Sequence, residues 1–179
     1  MTIRSLTILV VAAILLPVPA AGIFPGPAAA GEQSSLLVYS LPFRLRNVRA
    51  SFPLEIAILN LINRERSTAG LAPLIPHATL RSVARAHGVE MLAFGYLSHL
   101  SRDGKTPQQR VLGRGVRARL IGENIAYARD IRAAHDSLMD SEAHRLNILS
   151  TNYELVGIGV VDAGPHGVIV VQDFSAPRR

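Results

Sequence analysis

The sequence predicts an α+β domain in which helices come first and a small antiparallel sheet comes last. Three observations predict it. Between Pro53 and Asp140, apolar residues recur at helical spacing in three segments. From Val156 to Val160, Val156, Ile158 and Val160 alternate with Gly157 and Gly159, which is the period of a strand. Asp162-Ala163-Gly164-Pro165-His166-Gly167 then reads as a turn that returns the chain along Val168 to Phe174.

The chain has 179 residues, room for one domain, and its first part reads as lying outside that domain. Arg4 opens a basic segment. Leu6 to Leu16 is an unbroken apolar run, shorter than the ~20 residues of a membrane span, with Pro17 and Pro19 after it. Residues 1–30 are therefore expected to be an export signal, or an uncleaved anchor. Small residues suited to cleavage stand at Val18-Pro19-Ala20 and at Ala28-Ala29-Ala30, and the polar Gly31-Glu32 favours the second. Residues 31–50 show no sustained period and read as a linker or loose arm, so the domain is expected over 51–176.

Leu54, Ile58, Leu61 and Ile62 form the first helical stripe, with Pro53 in its opening turn, Arg64 and Arg66 near its end, and Gly70 as its stop. Leu71 to Pro76 is a rigid connector, because each proline disfavours helix in its predecessor. Helix two is expected from Thr79 to Phe94, with Leu80, Val83, Ala84, His87 and Met91 on one face and Gly95 as terminator. A histidine inside that stripe reads as a core residue. Tyr96 to Gly104 is a loop. Thr106-Pro107-Gln108-Gln109 then carries a hydroxyl cap, an N1 proline and a capping-box glutamine, predicting a short helix that ends by Gly113. Arg114 to Leu120 reads as a basic connector.

Ile131, Ala134, His135 and Leu138 define one more helix, and Ser141-Glu142-Ala143-His144-Arg145-Leu146-Asn147-Ile148-Leu149 is where it ends. That corner leads into the strand at 155–161. Glycines on one face of this strand invite close approach by a helix, so it is expected to be central and covered. His166, at the turn tip, is expected to be exposed and inert.

Composition removes several classes of function. There is no cysteine, hence no disulfide framework and no thiol nucleophile. The +6 net charge comes from arginine with the single lysine Lys105. Arg44, Arg46 and Arg49, and again Arg110, Arg114, Arg117 and Arg119, form groups that are either solvated surface or a contact for an anionic envelope. Aromatics are only 5 % of the chain, which together with the export signal disfavours nucleic acid. No nucleophile elbow, S-x-x-K, H-E-x-x-H or phosphate loop is present.

His99, Glu123 and His144 remain. Two imidazoles and a carboxylate sharing a cleft can hold a divalent cation such as zinc with one position open to water, or can act as an acid/base set. Hydrogen-bonded loop anchors are the alternative reading of the same residues. Glu142 and His135 compete for these roles.

Several stretches, taken in order, resemble one family. Ile58 to Arg66 with Ala69-Gly70-Leu71-Ala72-Pro73-Leu74, then Gly95-Tyr96-Leu97-Ser98-His99 with Asp103-Gly104 and Thr106-Pro107, then Gly122-Glu123-Asn124-Ile125-Ala126, Ser141 to Leu149 and Val156 to Val160 look like the successive signatures of the CAP superfamily (cysteine-rich secretory proteins, antigen 5, pathogenesis-related proteins) in its compact bacterial SCP-like form. The resemblance covers about Pro53 to Phe174. It implies an α-β-α sandwich and a cleft lined by two histidines and two acids. His99 and His144 match the histidines and Glu123 the acid of the Gly-Glu-Asn motif, which brings Asn124 with it. The second acid departs: its place falls on Ser141, with Glu142 adjacent, and the customary helix aromatic is Leu138. The resemblance further implies a secreted, extracellular or periplasmic monomer, a binding module for a divalent cation, a small ligand, or a lipid or sterol, without turnover. A metal-dependent hydrolase acting on peptide or wall fragments, and an envelope-associated protein using the basic patch, are the alternatives.

Overall fold

In a computed structural model the backbone is described for residues 9–17 and 38–178, and side chains for 38–178. In chain order the elements are β1 (Leu9–Pro17), β2 (Tyr39–Ser40), α1 (Phe52–Thr68), β3 (Ile75–Pro76), α2 (Ala78–Phe94), β4 (Tyr96–Leu97), α3 (Pro107–Leu112), β5 (Ala118–Ala128), α4 (Ile131–Asp140), α5 (Glu142–Ile148), β6 (Leu155–Asp162) and β7 (Val168–Pro177), with one 3-10 turn at Gly164–His166. The main sheet runs β1-β5-β7-β6-β3, and β2 pairs with β4 in a two-stranded ribbon. Neighbours in the main sheet are antiparallel except β3, which lies parallel to β6.

The sheet is covered on both sides, as the sandwich expectation requires. Alternate residues of a strand point to opposite faces. Ile125, Tyr127, Ile169 and Val171 pack with Ala84, Met91 and Leu92 of α2, whereas Ala126, Val168, Val170 and Phe174 pack with Ile58 and Ile62 of α1, Leu138 of α4 and Ile148 of α5. With no cysteine, these two apolar layers hold the domain together.

Helix ends follow local chemistry. Thr106 caps α3 through a complete capping box, Asp130 caps α4 by accepting from Ala133 N, and Gly95 closes α2 in the left-handed region at φ 72°. Gly157 and Gly159 have the predicted role: a Cβ on Gly157 would fall 2.1 Å from the Leu80 carbonyl carbon, and one on Gly159 2.5 Å from Arg85 N. The backbone of α2 rests on β6 at these two points.

Some expectations are revised. Residues 38–50 are docked rather than loose: Leu41 N donates to Gly95 O at 2.9 Å, Leu45 N donates to Leu92 O at 3.0 Å, and both side chains join the α2 layer. The connector read over 114–120 becomes strand from Ala118 onward, and β5 is the longest strand of the sheet. The stretch 141–149 forms its own helix, α5, beginning directly after α4. The central strand is β7, with β6 beside it. Arg66 does more than favour a helix dipole. It is buried and donates to Ala72 O, Ile148 O and Ser150 O, each at 2.8 Å, clasping α1 to the end of α5. His166 is half-buried and stacks on Phe43 with centroids 4.3 Å apart.

Of the expected export signal, residues 9–17 form strand β1 on the outer edge of β5. Residues 1–8 and 18–37, with both expected cleavage positions, lie outside the described residues. Among the described residues no helix is long and apolar enough to cross a membrane.

Candidate functional site

Glu123 lies mid-strand in β5, on the face that carries α2, because its neighbours in the alternation, Ile121 and Ile125, pack there. His99 reaches it from the loop after β4, its Nδ1 2.7 Å from Glu123 Oε1. Arg110, on α3, reaches the other oxygen, with Nη2 2.5 Å from Glu123 Oε2. Arg110 Nη1 also donates to His99 O, Ser101 Oγ and Lys105 O, so one guanidinium binds the carboxylate and the loop that carries His99. The capping box at Thr106 fixes the start of α3 and thereby the reach of Arg110.

The carboxylate and its two partners are buried. His99 and Glu123 have no exposed surface, and the Arg110 side chain is 10 % exposed. Burial by itself would raise the pKa of Glu123, but the Arg110 charge and the His99 hydrogen bond more than offset it and hold the carboxyl at about 2. Directly across the β5–β7 ladder stands Asp173. It is equally buried, and neither carboxyl oxygen finds a donor among the described residues. Burial, then the charge of Glu123, push its pKa well up. Glu123 is thus the ionised member of the pair and Asp173 the neutral one, able to donate to its neighbour.

His144 belongs to α5, which packs on the other face of the sheet. There Asn124 Nδ2 donates to His144 O at 3.1 Å and to Gln172 Oε1 at 3.1 Å, and Asn147 Nδ2 donates to Asn124 Oδ1 at 2.9 Å. Ser141, where the resemblance leads one to expect an acid, places Oγ 2.6 Å from His144 Nδ1, and Glu142 is exposed on the first turn of α5. The structure therefore joins His99 and Glu123 directly. His144 is linked to that pair through Asn124, the next residue along β5.

Other expectations resolve the same way. His87 is the core histidine anticipated, its Nε2 donating to Ser98 O at 2.8 Å. Ser98 Oγ accepts from Leu100 N at 3.1 Å, which ties it into the loop rather than to a base. Arg110 leaves the supposed basic patch for the interior; Arg114, Arg117 and Arg119 stay exposed. Sequence reasoning missed Arg110 as an internal partner, and missed Asp173. The signal for Asp173 was present: Gln172 and Asp173 interrupt an otherwise apolar run from Val168 to Phe174.

The residues do not make a good cation site as they stand. Among the described residues no three His, Asp or Glu side chains converge in a set that could hold a metal ion. Both oxygens of Glu123 are engaged, one by a permanent cation, so a divalent ion there would have to displace Arg110. Beside this cluster, joined to it by Arg110 and not lined by His99, Glu123, Asn124, Ser141, Glu142 or His144, lies a cleft of about 410 Å³ between α2 and α3, with Val83, Ala86, His87, Glu90, Lys105 and Arg114 in its walls. Arg110 Nε, buried in its wall, has no acceptor among the described residues.

Comparison with known proteins agrees with this architecture. Residues 59–174, well over half of the chain, match the CAP, or Cysteine-rich secretory protein, family. The protein YkwD of Bacillus subtilis (strain 168) is 34 % identical over 111 residues, covering 62 % of this chain and 43 % of YkwD. The chain thus spans less than half the length of the curated relatives it matches. Among solved structures, an extracellular protein containing an SCP domain from Bacillus anthracis str. Ames superposes with a TM-score of 0.64 at 31 % identity, over 69 % of this chain and 40 % of that one. An outer surface protein from Borrelia burgdorferi shares the fold, with a TM-score of 0.69 at 18 % identity over 75 % of this chain and 100 % of its own. On motif order, architecture and these matches, the chain belongs to the cysteine-rich secretory protein (CAP) family.

Proposed function

We propose that this protein is an exported CAP-domain binding module, without turnover, that takes a small polar ligand in the cleft between α2 and α3. The observation that carries this reading is the engagement of Glu123: one oxygen meets His99 and the other Arg110, and a carboxylate so held, its pKa lowered, is a weak base and an occupied ligand. It is suited to fixing Arg110 at the cleft wall. The charged side chains Glu90, Asp103, Lys105, Arg110 and Arg114 around the cleft favour a polar or charged ligand over a sterol or lipid chain. Export is supported by the apolar run Leu6 to Leu16 and by the similarity to the extracellular Bacillus anthracis protein.

Amide-detected NMR with a library of small polar fragments tests this. Hits should shift the amides of Glu90, Gln109 and Arg114 and vanish in Arg110→Leu. Hits confined to the smaller hollow beside Phe52, Ile56 and Arg81 would contradict it. Calorimetry with Zn²⁺ addresses the metal-dependent alternative. A stoichiometric site lost in both His99→Ala and Glu123→Gln would show that the ion does displace Arg110.

A further inference from the structure

We infer that the outer edge of β5 is a strand-accepting groove for an extended apolar peptide, and that Leu9–Pro17 occupies it in the unprocessed chain. The proposal is independent of the small-ligand cleft, which lies on the α2 side between two helices.

The two edges of the main sheet are protected differently. At one edge, β3 has two residues and ends in proline, both devices that stop a further strand from adding. At the other, β1 lies along β5, which is eleven residues long and, with β1 in place, buried at every residue except Arg119. From Leu120 to Ala128 it has no lysine, arginine or proline to discourage pairing, and its only charge, Glu123, is neutralised internally by Arg110. An unguarded edge of this kind is completed by another strand.

The chain completes it with its own N-terminal segment. β1 pairs antiparallel from Leu9 opposite Tyr127 to Pro17 opposite Leu120, with one irregularity between Val11 and Ile14, and its backbone also approaches α5. The segment used is the apolar run that reads as the export signal. Both expected cleavage positions lie beyond Pro17, so cleavage at either removes the strand and leaves β5 open. The edge then suits an extended, uncharged peptide of about eight or nine residues, held by main-chain hydrogen bonds and by the apolar surroundings of β5.

Hydrogen exchange on the full chain tests this. In the native chain the β5 amides that face β1 should exchange slowly. In Val11→Pro/Leu15→Pro they should exchange faster by more than about tenfold while β6 and β7 stay protected. A peptide with the sequence of residues 9–17, flanked by lysines for solubility, should restore protection in that variant, and the same peptide with aspartate at alternate positions should not. Equal β5 exchange in both chains, or restoration by the charged peptide, would overturn the proposal. If the variant does not fold, backbone NOEs between Leu15 and Gly122 in the native chain decide: their presence supports the pairing and their absence refutes it.

Discussion

Glu123 and Asp173 face each other across the β5–β7 ladder, both without exposed surface, one held ionised and the other held neutral. The asymmetry has a physical source. Arg110 and His99 both bind Glu123, and two buried like charges side by side in a medium of low dielectric cannot both be sustained, so Asp173 keeps its proton.

Removing Arg110 should therefore cost more than removing Glu123. Arg110→Ala leaves a buried carboxylate without its cation, a loss expected at about 3–5 kcal/mol by urea denaturation. Glu123→Gln leaves Arg110 with the oxygens of His99, Ser101 and Lys105 and should cost less. The double variant should be no worse than Arg110→Ala alone. Additive losses would mean that the pair is not coupled.

Asp173→Asn should stabilise the protein at neutral pH. A carboxyl whose folded pKa is raised contributes fully below its unfolded value of ~3.9 and progressively loses that contribution as pH rises. The amide escapes this loss. A rise of a few degrees in Tm at pH 7, shrinking toward zero at pH 3, is the expected result. Glu123 has the opposite sign: its lowered pKa contributes stability above its unfolded value of ~4.3 that disappears as pH falls toward about 2.

Gly157→Ala should push α2 away from the sheet, since the added methyl group meets backbone atoms of Leu80 and Arg81 that cannot rotate aside. A destabilisation of at least about 1–3 kcal/mol is expected by denaturant titration. Gly159→Ala, with the roomier contact of 2.5 Å, should cost somewhat less.

How far the sequence could be read depended on how local each signal was. Helices α1 to α4 carried caps, prolines and stripes within a few residues of themselves, and Gly157 and Gly159 announced the approach of α2. β5 was missed because it is buried on both faces, which erases the alternation of a half-exposed strand. α5 was hidden because it starts within two residues of the end of α4. His99 and Glu123 were found through motif order. Their partners Arg110 and Asp173 depend on the reach of α3 and on the β5–β7 register, long-range facts without local pattern. That same register sends residues 122 and 124 to one face and 123 to the other, so that it is Asn124 that donates to the His144 carbonyl.

The most direct test of the binding-module reading is a carbon-detected pH titration of the Glu123 and Asp173 carboxyl groups in the folded protein. The account predicts that Glu123 stays ionised down to about pH 2 and that Asp173 is still protonated well above the ordinary carboxylate range. A Glu123 that instead takes up its proton near or above ~4.3 would have the character of a working acid or base, and the account would be contradicted.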